Sequence, residues 1–199
     1  LVLRASPWVA ASAGAVAPDP AAVTPERVLV LEGDALSLRR YWDYETRLAR
    51  ALSARLAGGH LQLVTGGPGT GKTTQVAQLL AEFESVRESL AAQVEAGVLS
   101  DQLATTLPTD ASTLHRLLGW QRDGFRHGRE HPLALDLVVV DEASMIDLPL
   151  MCRLAEAVPA QARLVIVGDP DQLPSVDTGD VLAALCEASS AQGSPLHAA

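Results

Sequence analysis

The sequence predicts an α/β fold: a parallel sheet flanked by helices. Three observations predict it. Apolar runs of buried-strand type recur, namely "HLQLVT" (60–65), "ALDLVVV" (134–140) and "RLVIVG" (163–168). Stretches with helical spacing separate them, as crossovers between parallel strands require. A glycine-rich segment, "GGPGTGKTT", joins the first of these strands to a helix expected at about 72–83.

The elements follow in order. Residues 1 to about 24 are rich in Ala and Pro and read as loop or linker. "RVLVLEG" (27–33) reads as a short strand. "ALSLRRYWDYETRLARALSARLA" (35–57) reads as one amphipathic helix, with Leu38, Trp42, Glu45, Leu48, Leu52 and Leu56 at helical spacing and Gly58 and Gly59 ending it. Tyr41 and Trp42 read as core or interface rather than a base-stacking platform. After the glycine-rich segment, residues 84–96 read as a polar helix and 97–111 as irregular. "DASTLHRLLGW" (110–120) reads as a short capped helix, and "QRDGFRHGREHP" (121–132) as a basic loop. Residues 148–158 and 179–188 read as helices, with Asp147 capping the first. The expected organisation is a linker and helix over 1–57 and a nucleotide-binding domain over 58–199.

Bulk properties narrow the class. At 199 residues, 48% hydrophobic and 20% charged, the chain can bury the core of one or two small globular domains. No apolar run reaches the roughly 18 residues of a membrane span. The first twenty residues faintly resemble a signal peptide, but Pro7 and a weak apolar centre argue against one. Cys152 and Cys186 lack metal-ligand spacing and read as reduced thiols of a cytoplasmic protein. The chain starts at Leu1 and is expected to be a fragment. A net charge of −9 argues against a non-specific nucleic-acid coat and leaves room for a local basic track.

One count is sharper. Of 15 basic residues 14 are Arg, and the single lysine is Lys72. A lysine that survives such a bias belongs where a compact ammonium is needed. Its setting is G-x-x-x-x-G-K-[ST], a phosphate loop built by Gly66, Gly67, Pro68, Gly69, Thr70, Gly71, Lys72, Thr73 and Thr74. Glycines let backbone N–H groups turn toward phosphate oxygens, and the helix N-terminus adds partial positive charge. Lys72 is expected on the β and γ phosphates of ATP and Thr73 on Mg²⁺.

Two further strand ends carry chemistry. "LVVVDEASMID" places Asp141 and Glu142 where ligands bind beyond a parallel sheet. Asp141 is expected in the Mg²⁺ shell, and Glu142 as the base for the attacking water. "LVIVGDPDQLPSV" ends a strand in a loop holding up Gln172, whose amide can accept from a water and donate to a γ-phosphate oxygen.

In that order, "GGPGTGKTT", "VVVDEASMID" and "GDPDQLPSV" resemble motifs I, II and III of superfamily 1 helicases. "DASTLHRLLG", "VVVDEASMIDLPLM" and "LEGDALSLRRYWDYETRLA" resemble the RecD family more closely, the alpha subunits of exodeoxyribonuclease V. The resemblance covers most of residues 28–188. It implies a P-loop NTPase (RecA-like) fold and an ATP- and Mg²⁺-dependent motor moving 5′ to 3′ on single-stranded DNA. It also implies RecB and RecC partners in double-strand break repair, and a Gln172 that couples γ-phosphate state to DNA grip. Thr113 and His115 match a family motif near the DNA track; locally, packing and capping are equally open to them.

The chain departs from that pattern. No "APTG"-type motif lies between residues 80 and 110, and Gln62 does not match the adenine-reading glutamine. The helix ending near Ala57 runs almost directly into "HLQLV". The second motor domain and its arginine finger lie outside these residues. An alternative therefore stands: a nucleotide-binding interaction module that does not turn over ATP without that second domain. The loop from Arg122 to Arg129 remains open between DNA, a partner and solvent.

Overall fold

The computed structural model describes residues 8–12, 27–67, 69–72, 74–79, 81, 111–172 and 180–190. The expected linker over 1–24 falls mostly outside them, as do the helix over 84–96, nearly all of the irregular stretch over 97–111 and the site of the motif Ia strand.

The N-terminal part is a small sheet in the order β1 (Val9–Ser12), β2 (Leu29–Glu32), β3 (Ala35–Leu38). β1 runs parallel to β2, with Val9 opposite Leu29, so the expected loop contains a strand. β3 corrects a second expectation, because residues 35–38 are not helical. The chain turns at Gly33 and Asp34 and pairs back on β2, Leu31 opposite Leu36. The alternation in "ALSL" wins over the helical spacing that begins four residues later. Helix α1 (Arg39–Ala57) follows at once. Trp42 is buried in it, and its indole N–H donates to the Glu32 carboxylate of β2 at 3.4 Å. Leu38 is exposed, and Arg55 instead completes the buried face with Leu48 and Leu52.

The second sheet is parallel, in the order β4 (Leu61–Thr65), β8 (Arg163–Gly168), β7 (Leu137–Val140). β8 is the middle strand, and its side chains alternate between two cores. Leu164 and Ile166 join Val138 and Val140 against α1, α4 (Leu148–Ala157) and α5 (Val181–Ser190). Val165 and Val167 join Val64 on the opposite face, against Leu79 of the helical residues 74–79, named α2. Helices thus cover both faces, which is why these strands read as unbroken apolar runs. β7, α4 and β8 form one strand–helix–strand unit, with α4 capped by Asp147, whose carboxylate accepts from Leu150 N–H at 2.7 Å. Between the sheets in sequence lie α3 (Leu114–Leu117) and a hairpin of β5 (Trp120–Gln121) and β6 (Gly124–Phe125). The hairpin takes up the start of the loop expected at 121–132, while residues 126–132 remain irregular.

Two arginines bolt α1 to this unit. Arg47 forks onto Glu156 of α4, with N···O distances of 2.7 and 2.5 Å, and this hydrogen bonding raises its guanidinium above its ordinary value. Arg55 is 3% exposed and donates to the carbonyls of Ala155, Val158, Pro159 and Ala162. These are the last carbonyls of α4 and the turn that launches β8, groups a helix end leaves without partners. Desolvation lowers the Arg55 guanidinium from its ordinary value. Cys152, near the Arg47–Glu156 pair, is pushed up to about 11 by burial, so it is a neutral thiol at physiological pH. Arg55→Met, which keeps the stem and removes the donors, is expected to cost about 3 kcal/mol. Urea denaturation measures this, and a loss under about 1 kcal/mol would show the carbonyls satisfied otherwise.

Candidate nucleotide-binding site

The register of the parallel sheet decides where the loops arrive. Thr65 of β4 lies opposite Gly168 of β8, and Val140 of β7 opposite Ile166. The three strands therefore end within two residues of one another, all at their carboxyl ends. Gly66, Asp141 and Asp169 are the first residues beyond them. The sequence assigned its chemistry to these three loops, and the sheet brings them to one edge.

The glycine-rich loop turns tightly. Gly66 has φ +155°, and a side-chain carbon placed there would lie 2.5 Å from Thr70 Oγ1. Thr70 Oγ1 donates to the Gly67 carbonyl at 2.9 Å. Lys72 is half-buried, and its ammonium donates to the carbonyls of Gly66 and Gly67, the latter at 3.3 Å. The only lysine is thereby held over the loop's own backbone. Gly69, Gly71 and Thr74 are exposed, and Gln75 N–H bonds the Gly71 carbonyl at 3.0 Å as the helix starts. Pro68 and Thr73 lie outside the described residues.

The acidic pair is exposed at the end of β7. Asp141 Oδ1 accepts from Glu142 N–H at 2.8 Å. Glu142 has φ 53° and ψ 43°, and it is the only non-glycine residue with positive φ among those described. That left-handed conformation costs a glutamate about 1–2 kcal/mol. It breaks the line of β7, so the chain turns at once into the 3₁₀ turn Ala143–Met145. No local feature of the sequence signals this strain. A hard, oxygen-coordinated cation fits the donor chemistry: Asp141 offers a carboxylate oxygen on the same sheet edge as the glycine-rich loop, one strand away from it, and Mg²⁺ needs one or two carboxylates when phosphates complete its shell. Among the described residues no group of three or more His, Cys, Asp or Glu side chains could hold a metal by itself.

The third loop holds the residue that sequence reasoning passed over. Asp169 is 2% exposed. Its Oδ1 accepts from Asp171 N–H at 3.1 Å and its Oδ2 from Gln172 Nε2 at 3.3 Å, while its carbonyl accepts from Gln172 N–H at 3.2 Å. An Asp that bonds the backbone two residues on makes an Asx-turn, and "GDPD" carries that signal. Gln172 is exposed at the tip of this turn. One residue earlier, Gly168 lets two loops meet. A side-chain carbon there would lie 2.6 Å from Leu182 Cδ2 and 3.3 Å from the backbone nitrogens of Ala143 and Ser144.

Thr113 and His115 lie on α3. Thr113 is its N-cap, its hydroxyl accepting from Arg116 N–H at 3.4 Å, and the His115 ring sits 5.8 Å from that of Phe125. The capping and packing roles left open in the sequence are both occupied. Trp120, on the adjoining hairpin, is 62% exposed.

Residues 50–178 match the family described as AAA domain. That is well over half of the chain. The chain belongs to the AAA domain family. It therefore has a P-loop NTPase fold and uses a nucleotide. It is also RecD-like in sequence. It is 40% identical to the RecBCD enzyme subunit RecD of Mycolicibacterium smegmatis, over 83% of this chain and 40% of that protein. It is 44% identical to the ATP-dependent RecD2 DNA helicase of Deinococcus radiodurans, over 67% of this chain and 19% of that protein. To RecD of Mycobacterium tuberculosis it is 42% identical, over 75% of this chain and 30% of that protein. The chain thus spans less than half the length of these relatives. Among the described residues no helix is long and apolar enough to cross a membrane.

The close approach at Gly168 generates a prediction. Gly168→Ala is expected to destabilise the chain by about 2 kcal/mol, because the methyl drives the acidic loop and α5 away from β8. Thermal denaturation reads this, and an unchanged midpoint would mean that Leu182 yields freely.

Proposed function

We propose that this chain is the first, nucleotide-binding motor domain of a RecD-type DNA helicase, cytoplasmic and acting in double-strand break repair. The single observation that carries this reading is the convergence of three chemically distinct loops on one sheet edge. The names of the relatives, RecD subunits and a RecD2 helicase, support the same reading. They support RecB- and RecC-type subunits as partners and single-stranded DNA as the track.

In this reading the Gly66–Thr74 loop wraps the phosphates of ATP. Lys72 leaves the Gly66 and Gly67 carbonyls for the β and γ phosphates, where its positive charge is worth more. Asp141 and Thr73 would hold Mg²⁺, which supplies charge neutralisation on the β and γ oxygens when bound. Glu142 orients the attacking water and takes its proton, and its left-handed backbone turns it off the strand axis at the phosphate edge. Gln172 touches the γ phosphate and reports its presence to the DNA-facing side, where Thr113 and His115 stand as candidate contacts. Turnover is expected where a second motor domain closes over this edge and adds a cation for the transition-state charge.

Calorimetric titration with Mg-ATP tests the assignment. The chain is expected to bind, and Lys72→Ala to weaken binding by 100-fold or more, about 3 kcal/mol. Equal affinities would remove Lys72 from the site. Glu142→Gln is expected to keep Mg-ATP affinity and to slow hydrolysis about 10²-fold or more in the assembled enzyme, the usual contribution of a general base. Turnover at the normal rate would assign the base elsewhere. Gln172→Ala is expected to leave an ATPase no longer stimulated by DNA, read as the ratio of rates with and without single strands.

A further inference from the structure

Asp169 is a buried carboxylate with no cation beside it among the described residues. Burying such a charge is costly unless hydrogen bonds repay it. Among the described residues its side-chain bonds go to its own loop, to Asp171 N–H and to the amide of Gln172. The bond to Gln172 ties down the one side chain that must move to meet a γ phosphate. Across Gly168 the acidic loop approaches, and there Ser144 is 5% exposed with a hydroxyl that has no hydrogen-bond partner among the described residues. A buried polar atom without a partner marks a set of groups not in its best-satisfied arrangement. The seam between the acidic and glutamine loops is therefore poised for a second arrangement.

We propose that Asp169 is a positioning residue that parks Gln172 in the absence of a γ phosphate and gives it up to ATP. The proposal rests on the nucleotide-site reading above and adds to it the element that sets discrimination between ATP and ADP. With ADP the amide stays on Asp169 in free and bound states alike, so the bond has no effect on affinity. With ATP the amide exchanges the Asp169 carboxylate for a phosphate oxygen, and the lost bond is subtracted from the binding energy. Asp169 thus holds ATP affinity below what the site could reach and makes the glutamine's position depend on the γ phosphate.

The test is a double-mutant cycle in the 199-residue chain, with calorimetric affinities for Mg-ATP (as a non-hydrolysable analogue) and Mg-ADP. Asp169→Ala is expected to raise the ratio of ATP to ADP affinity by about three- to tenfold, the worth of one hydrogen bond to a carboxylate. In the Gln172→Ala background the same substitution is expected to leave the ratio unmoved. Should Asp169→Ala not fold, Asp169→Asn is read instead: it still accepts from Asp171 N–H, holds Gln172 more weakly, and is expected to shift the ratio in the same direction by less. A ratio that stays constant or falls, or a shift that persists without Gln172, overturns the parking role and leaves a structural one. Absence of binding of either nucleotide to the folded wild-type chain overturns the nucleotide-site reading itself, and the proposal with it.

Discussion

The site depends on β8 pairing in parallel with β4 on one side and β7 on the other. Parallel strands share a direction, so their carboxyl ends meet on one edge, and the register fixes how level those ends are. Thr65 against Gly168 and Val140 against Ile166 set the ends of β4 and β8 level and that of β7 two residues short of them. The alternation of Leu164 and Ile166 with Val165 and Val167 between two cores then locks that register, because a slip by one residue would exchange the faces. Arg55 secures the start of the strand by satisfying the carbonyls of the turn before it. The N-terminal helix is thereby part of what positions the middle strand of the parallel sheet, and it shares a core with α4.

At the other end of β8 the requirement is closeness. Gly168 leaves the space into which the acidic loop folds, and the left-handed Glu142 makes the turn that brings Ala143 and Ser144 there. Strain at Glu142, a buried carboxyl group at Asp169 and a Ser144 hydroxyl with no partner among the described residues lie within one seam. Features that cost stability cluster where a structure must adopt more than one arrangement. The lysine held on its own loop and the glutamine held on Asp169 share this character: each charged or polar tip rests on an acceptor of its own loop.

Much of this was legible in the sequence. The strands at 61–65 and 163–168, helix α4 and its Asp147 cap follow from apolar runs and cap chemistry, which are local signals. The phosphate loop was legible because glycine spacing and a lone lysine state one requirement. What escaped has non-local causes. β3 was hidden because "ALSL" satisfies helix and strand spacing alike, and only its pairing with β2 decides between them. The role of Arg55 has no local signal, since its carbonyl partners lie about a hundred positions away. Asp169 was passed over because its local sequence signals only a turn, and its burial is set by tertiary packing. The conformation of Glu142 has no local signature, because a glutamate does not favour positive φ.

The claim that three loops form one nucleotide edge is tested most directly by amide hydrogen exchange with and without Mg-ATP. The account predicts that residues 66–72, 141–146 and 168–172 gain protection together, in proportion to nucleotide occupancy. It also predicts that Mg-ADP protects the first of these segments fully and the last one less. Protection confined to residues 66–72, with the other two loops unchanged by either nucleotide, would contradict it.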